Sequence, residues 1–511
     1  MTDPRTPVLV GVGQVVQKEK DPLKAKDPAS LMADAARLAL GDTGVAALEG
    51  KLDTVTCTRF VIDSPGTRGG LPINQYANLP LSLANRIGAK PANTCYGPTG
   101  GNSPQLLVNY TAERIAEGDQ EIVLLAGVEC FGSFQKLLMS GQSPENWNED
   151  PGGKRIDIGY EKEGVSKVEN IHKLSHPVNC YPLFENALRG EAGRTVEEQQ
   201  QFIGKLMAPF TEVAAKHPQA WFPIARTAEE IATQTDNNRY VGFPYTKYMN
   251  AIMAVDQAAA VVMMSVEKAR ELGVPENKWV YLHGSGDAND LWYLTERQNF
   301  HSSPAIRTMG QKAFAQAGWS IDEIEIMDLY SCFPSAVQIG MKELGIATDD
   351  PRALTVTGGL PYFGGAGNNY VMHSIATMVE KLRAKPGAKG MCTSNGYYVT
   401  KHGIGLYSTT PTVGKWQREN PANYQKSLDA MDHPRVEEKP DGSAKIETYT
   451  VMHGRNGPEF GIVMGRLDAD GARFVSHVTE PAGVHSLMDQ DSLGRPGRVA
   501  TTDTGLNIFT L

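Results

Sequence analysis

Gly101-Asn-Ser-Pro-Gln-Leu-Leu-Val-Asn-Tyr-Thr-Ala-Glu-Arg-Ile-Ala-Glu-Gly-Asp-Gln-Glu-Ile-Val-Leu-Leu-Ala-Gly-Val-Glu129 is the stretch from which the fold is read. Ser103 suits a helix N-cap and Pro104 the first helical position. The pattern predicts a helix to about Glu117, closed by Gly118. Ile122 to Ala126 is a continuous apolar run, as in a strand buried on both faces, and Gly127 is read as its end. Helix followed directly by buried strand is the signature of an α/β layer.

The same order recurs on both sides. Val8 to Val10 is an apolar strand leading into Gly11-Val-Gly13, read as a tight turn because the third glycine of a dinucleotide fingerprint is Val16. Asp27-Pro28 opens a helix that Gly41 ends, and Leu52 to Cys57 is the next strand. About 270 residues later, Val280 to Leu282 leads into Gly284-Ser-Gly286. A helix from Ser303-Pro304 to Ala317-Gly318 and a strand from Ile324 to Leu329 follow. This predicts a duplicated βαβ architecture with parallel strands and covering helices. Residues 131–248 read as a long insertion over the core, with an amphipathic helix from Val196 to Lys216. After residue 408 come short β-rich runs, Ile446 to Met452, Phe460 to Leu467 and Arg473 to His477. They are separated by glycine turns, as in a small antiparallel barrel.

The chain has 511 residues, more than one core holds, with 41% hydrophobic and 21% charged residues. A net charge of −9 and the absence of a basic run argue against nucleic acid. No apolar run reaches the roughly 18 residues of a membrane helix. The N-terminus has no signal-like apolar region, so a cytoplasmic protein is expected. The six cysteines are scattered without a CxxC pair, so neither a metal nor a disulfide scaffold is expected.

The quoted stretch resembles the nucleophile helix and following strand of the thiolase family, ungapped to the closing Gly-x-Glu when the family's cysteine is laid on Gly101. Ile115-Ala-Glu-Gly-Asp119 resembles the family's turn. Val255-Asp-Gln-Ala-Ala-Ala-Val-Val-Met-Met-Ser-Val-Glu-Lys-Ala269 resembles the strand and helix entry that close its first half. The subfamily resembled is the sterol-carrier-protein-2 type, and within it the thiolase-like type 1 proteins with an additional C-terminal barrel. The resemblance implies an α/β fold of class five-layered α-β-α-β-α, a duplicated βαβαβ thiolase fold plus a small C-terminal antiparallel, OB-like β-barrel. It divides the chain into an N-terminal half (1–130 and 249–275), an inserted region (131–248), a C-terminal half (276–408) and the barrel (409–511).

Four motif positions carry the chemistry. Gly101 stands where a thiolase has the acyl-accepting cysteine, and glycine accepts nothing. Cys95, six positions before it, reaches the site only if its loop folds back. Tyr330-Ser-Cys-Phe333 matches the family's His-Asp-Cys-Phe, with Tyr330 at the histidine. Gly358-Gly-Leu-Pro-Tyr-Phe-Gly-Gly-Ala-Gly-Asn-Asn-Tyr370 matches the glycine pattern around Gly-His-Pro, with Gly365 at the histidine. Cys392-Thr-Ser-Asn-Gly396 matches the motif of the proton-moving cysteine, so Cys392 is retained. Tyrosine at the Tyr330 position also resembles thiolase-like retro-aldolases of steroid side-chain breakdown, in which tyrosines are the acid/base groups; Tyr370 matches the second of these loosely. The expected catalytic set is Tyr330, Cys392 and Tyr370. Gly101, Ser103, Cys332, Gly365, Asn395 and Gly396 are the expected substrate contacts. Backbone N–H groups at the Ser103 helix start and in the 364–367 turn are expected to hold a thioester oxygen. His402 and His283 are read as structural. The implied ligand is coenzyme A as an acyl-CoA thioester, in a chain that either makes or breaks a C–C bond, transfers an acyl group, or binds without turnover. A homodimer is the assembly the resemblance implies.

Overall fold

A computed structural model describes residues 2–64, 75–144 and 147–511. Ten strands form one sheet: β1 (Pro7–Val16), β2 (Thr54–Cys57), β3 (Asn93–Tyr96), β4 (Ile122–Cys130), β5 (Ile156–Asp157), β8 (Asp256–Ser265), β9 (Val280–Asn289), β10 (Ile326–Asp328), β11 (Lys389–Gly396) and β12 (Lys401–Ser408), in the order β10-β11-β12-β9-β1-β8-β4-β2-β3-β5. The order is duplicated. β2 runs parallel to β4, β4 antiparallel to β8, and β8 antiparallel to β1. In the second half β10 runs parallel to β11, β11 antiparallel to β12, and β12 antiparallel to β9. The halves join edge to edge where Val8 and Leu9 pair with Tyr281 and Val280. The sheet is therefore mixed, not wholly parallel as the βαβ reading had it.

Layering follows from side-chain alternation along strands buried on both faces. On β4, Ile122, Leu124, Ala126 and Val128 face one core cluster, whereas Val123 and Leu125 face the other. The first cluster is covered by the outer helices Pro28–Asp42 and Leu79–Ile87. The second holds the central helices Ser103–Glu117 and Tyr370–Ala384, which pack on each other and on strands of both halves.

The two glycine pairs are not turns. β1 and β9 run straight through Gly11-Val-Gly13 and Gly284-Ser-Gly286. A Cβ on Gly11 or Gly13 would lie 2.1 or 2.3 Å from the carbonyl oxygens of Ala39 or Ala35. On Gly284 or Gly286 it would lie 2.1 or 2.6 Å from those of Ala313 or Met309. Each pair lets an outer helix lie directly on its strand. Gly127 does not end its strand either, because β4 continues to Cys130.

The inserted region holds the predicted helix Val196–Lys216, opened by a Thr195–Glu198 capping box. It also supplies β6 (Tyr240–Gly242) and β7 (Tyr245–Thr246), which extend the second sheet. That sheet closes as a five-stranded barrel of β13 (Gly442–Gly454), β14 (Gly457–Leu467), β15 (Arg473–Val478), β16 (Pro496–Thr501) and β17 (Asn507–Thr510), in the circular order β13-β14-β15-β17-β16. All barrel pairings are antiparallel except β15 with β17, the arrangement of an OB-like barrel. The sequence reading missed β16, β17 and the helix Pro481–Asp489. Their short, polar-alternating stretches carry little periodic signal. The barrel docks on the inserted region, where Asn186 donates to the Tyr449 carbonyl at 2.8 Å and Thr448 to the Leu183 carbonyl at 2.6 Å.

Three buried histidines give the fold an acid limit. Burial lowers His373 to about 3, and His217 and His477 to about 4. All three are neutral in the fold, but take up protons near pH 6.5 once unfolded. The unfolded chain then binds more protons, so their stabilising contribution is full above about pH 6.5 and is lost as pH falls toward 4. The urea midpoint is expected to drop across that window, and His373→Gln to flatten the drop. A midpoint constant from about pH 7 to pH 5 would contradict this.

Candidate functional site

A cavity of about 400 Å³ opens where the N-terminal ends of the two central helices converge. Its floor is Gly100, Gly101, Tyr330, Cys332 and Asn395; Gly365, Gly367 and Asn368 form one wall; Ser175, His176, Tyr397 and Tyr398 stand toward another. The volume suits a small-ligand site.

The Thr99–Asn102 loop is held from several sides. Glu161 accepts from Thr99 N at 2.8 Å, and Asn368 Oδ1 from Gly100 N at 2.8 Å. Buried Lys401 donates to the Thr99 carbonyl, and burial lowers its pKa to about 8. The N–H groups of Gly101 and Asn102 find no acceptor among the described residues. They stand at the positive end of the Ser103–Glu117 helix.

Tyr330 decides the chemistry of the floor. A Cβ built on Gly101 would lie 2.2 Å from Tyr330 Oη and 2.6 Å from the Asn395 carbonyl oxygen. The phenol therefore stands in the space a side chain at 101 would need. Burial raises the Tyr330 pKa well above 10, so it is a neutral hydroxyl at neutral pH. Burial likewise pushes the Cys332 thiol up to about 12, with Tyr181, Asn395 Nδ2 and the backbone of Phe333 beside it. Among the described residues neither group has a base bonded to it that would make it a nucleophile.

The structure gathers Gly101, Tyr330, Cys332, Gly365 and Asn395 around one cavity, with Gly396 packed against Gly100. It withdraws others. Cys392 is fully buried within β11, in register with Asp328 and Gly405, and burial raises its pKa; it does not line the cavity. The spacing from Cys392 to Asn395 carries only the latter to the cavity. Tyr370 is also fully buried and off the cavity. Its hydroxyl lies 2.6 Å from Thr357 Oγ1 and 3.4 Å from Asp328 Oδ2, tying it to a buried carboxylate hub. Ser103 is not the N-cap. The helix begins at Ser103 itself, whose N–H donates to the Gly100 carbonyl at 2.9 Å, while its buried Oγ has no partner among the described residues. In the 364–367 turn Gly365 N is spent on Ile252 O and Gly367 N on Gly365 O, while the N–H groups of Gly364 and Ala366 find no acceptor among the described residues. Cys95 lies inside β3, paired with Thr56 and Ile156, so its loop does not fold back.

Sequence reasoning missed His176, Tyr181, Asn368 and Tyr397. Tyr181 Oη accepts from Asn395 Nδ2 at 2.8 Å and donates to the Tyr397 carbonyl at 2.9 Å. Tyr397 and Val399 both have left-handed φ, 56° and 55°. Two strained non-glycine residues in three mark a constrained site loop. The one legible signal was His176-Pro177, a histidine placed by proline at a helix start.

Sheet, central helices and cavity together define a thiolase-fold protein. The family model for the additional C-terminal domain of thiolase-like protein type 1 matches residues 423–504. A monomeric SCP2-thiolase-like protein type 1 from Mycobacterium smegmatis is 38% identical over 100% of both chains, with a TM-score of 0.85. The chain belongs to the SCP2-thiolase-like protein type 1 family. More distantly, an Ltp2-ChsH2(DUF35) aldolase shares the fold at 19% identity and a TM-score of 0.58, covering 80% of this chain and 98% of that one. An acetyl-CoA acetyltransferase of Methanocaldococcus jannaschii is 23% identical over 265 residues, 52% of this chain and 59% of that enzyme's length. The match thus spans less than two thirds of that curated relative. The Mycobacterium smegmatis protein is described as monomeric, so the expected homodimer has no support from it. Here the sheet edge at β3 is covered by the two-residue strand β5. Among the described residues no helix is long and apolar enough to cross a membrane.

Proposed function

We propose that the chain binds an acyl-CoA thioester in this cavity and acts on the acyl chain by proton transfer from Tyr330, making or breaking a C–C bond without an acyl-cysteine. The observation that carries the reading is the Tyr330 hydroxyl standing beside the Gly101 α-carbon, at the place the family reserves for its nucleophile. The N–H group of Gly101, which lines the cavity and has no acceptor among the described residues, supplies a hold for the thioester oxygen. Burial keeps Tyr330 protonated, so at neutral pH its hydroxyl can donate and not accept a proton, although the same burial makes it a weaker acid than a free phenol. The acetyltransferase relatives support a CoA thioester as the ligand class. A cytoplasmic setting accords with such a substrate.

The test is turnover across a panel of 3-hydroxyacyl- and 3-ketoacyl-CoA thioesters, followed by mass spectrometry. Tyr330→Phe is expected to lower kcat about 10²- to 10⁴-fold and to leave KM nearly unchanged. A Tyr330→Phe protein as active as the native one would sink the role of the phenol. One observation favours a second reading, binding without turnover: among the described residues neither Tyr330 nor Cys332 has a base bonded to it. Tight acyl-CoA binding with no product across the whole panel would select that reading.

A further inference from the structure

Sharing Tyr330 and Asn395 with the cavity floor is a second, smaller chamber of about 20 Å³, lined also by Thr393 and His402 together with apolar side chains such as Leu329 and Met309. One water needs about 10–15 Å³ and two to four polar partners. The chamber has both. Asp290, fully buried, accepts from His402 Nε2 at 3.2 Å. Burial opposes its ionisation, but the His402 bond and the Arg297 charge outweigh that and hold its carboxyl below the ordinary value. For a neutral ring, a carboxylate there places the proton on Nε2 and leaves Nδ1 as an acceptor. His402 is 2% exposed, and its Nδ1 has no partner among the described residues.

Asn395 presents the same need. Tyr181 Oη spends its proton on the Tyr397 carbonyl, so it must accept from Asn395 Nδ2. That fixes the amide and leaves Asn395 Oδ1, buried and 5% exposed as a residue, without a partner among the described residues. Two residues lining the chamber thus each carry a polar atom without a partner among the described residues. The chamber also holds one spare donor: Thr393 Oγ1 accepts from Tyr330 N at 2.9 Å, and its own proton is uncommitted. A single water donating to His402 Nδ1 and Asn395 Oδ1 and accepting from Thr393 would meet all three.

We infer that this chamber holds one structural water, and that through it His402, backed by Asp290, is a positioning residue for Asn395 in the floor of the acyl-CoA site. Buried acceptors left unpaired are costly, so the water is retained. Asn395 carries the effect to the site, because its carbonyl oxygen borders the Gly101 α-carbon. The water itself is independent of the acyl-CoA reading; only the effect on affinity rests on it.

A crystal structure of the full chain at about 1.5 Å is expected to show one ordered water within about 2.7–3.2 Å of His402 Nδ1, Asn395 Oδ1 and Thr393 Oγ1. Nitrogen-15 NMR is expected to show the Nε2–H tautomer of His402. A dry chamber or the Nδ1–H tautomer overturns the inference, and both measurements use the native chain, so they stand even if variants misfold. With acetyl-CoA as the probe, His402→Leu is expected to weaken binding about tenfold, with His402→Gln restoring it to within about twofold. Equal affinity in all three proteins refutes the positioning role. A water in place with no acetyl-CoA binding by the native chain refutes the acyl-CoA reading alone.

Discussion

Gly101→Ala is expected to cost about 1–3 kcal/mol, and Gly101→Cys to give no acyl-enzyme despite restoring a thiol. Gly101 is not among the left-handed glycines, so its backbone admits an L side chain. The obstacle is steric. The new Cβ meets Tyr330 Oη at 2.2 Å, Tyr330 Cζ at 2.9 Å and the Asn395 carbonyl oxygen at 2.6 Å. The phenol can move only by giving up its packing in the wall, and the carbonyl belongs to a strand end held by Tyr181. Denaturant midpoints of Gly101→Ala, Tyr330→Ala and the double variant separate these terms. The cycle is expected to show favourable coupling of at least about 1 kcal/mol, because Tyr330→Ala removes two of the three clashes. Coupling near zero, or a Gly101→Ala protein as stable as the native one, would show that the phenol does not fill that space. For Gly101→Cys, intact-protein mass spectrometry after acetyl-CoA is expected to show no acetyl adduct at residue 101, since no base adjoins the position.

Arg473→Met is expected to cost about 1–3 kcal/mol and to loosen the barrel from the core. Arg473 is fully buried on β15. Its Nε donates to Glu447 Oε2 at 2.8 Å, and its Nη1 to the Thr295 carbonyl at 3.1 Å and to that of Arg297. Burial lowers its pKa, while Glu447, though also buried, is held below the usual carboxylate range by this pair. One guanidinium thus joins a barrel carboxylate to core-loop carbonyls. Methionine fills the volume but withdraws the donors from the Thr295 and Arg297 carbonyls and leaves Glu447 to Arg466 alone. The expected readouts are a lower melting temperature and faster proteolysis between residues 409 and 442. Unchanged cleavage and melting would mean the apolar contacts alone hold the barrel.

Much of the architecture was legible in the chain. Helix signals are local: Asp27-Pro28, Ser303-Pro304 and Thr195 with Glu198 set starts within one turn of the chain, and the structure keeps all three. Buried strands announce themselves as apolar runs, so β4 and β8 were found. Their glycines misled, because a glycine that ends a strand and one that admits a helix are the same letter. The duplicated order survived this error, since it depends on succession and not on boundaries.

The site was only half legible. Motif spacing brought Gly101, Tyr330, Cys332, Gly365 and Asn395 to one cavity, because each lies at the end of an element whose position the fold sets. It failed for Cys392 and Tyr370. Along a strand successive side chains face opposite ways, and along a helix about every fourth returns to the same face, so a motif residue and its neighbour differ in outlook. Nothing in the letters tells which of Cys392 and Asn395 looks into the cavity. The sequence by itself determined the duplicated order and the β-rich tail, because these rest on local periodicity, and it determined that residue 101 carries no side chain, because that rests on residue identity; the layering came with the family resemblance. Only the tertiary structure decided that Tyr330 fills the place Gly101 leaves. Those two residues are 229 positions apart in number (330 − 101) and meet because two helix ends converge, and excluded volume between distant segments is written in no local pattern.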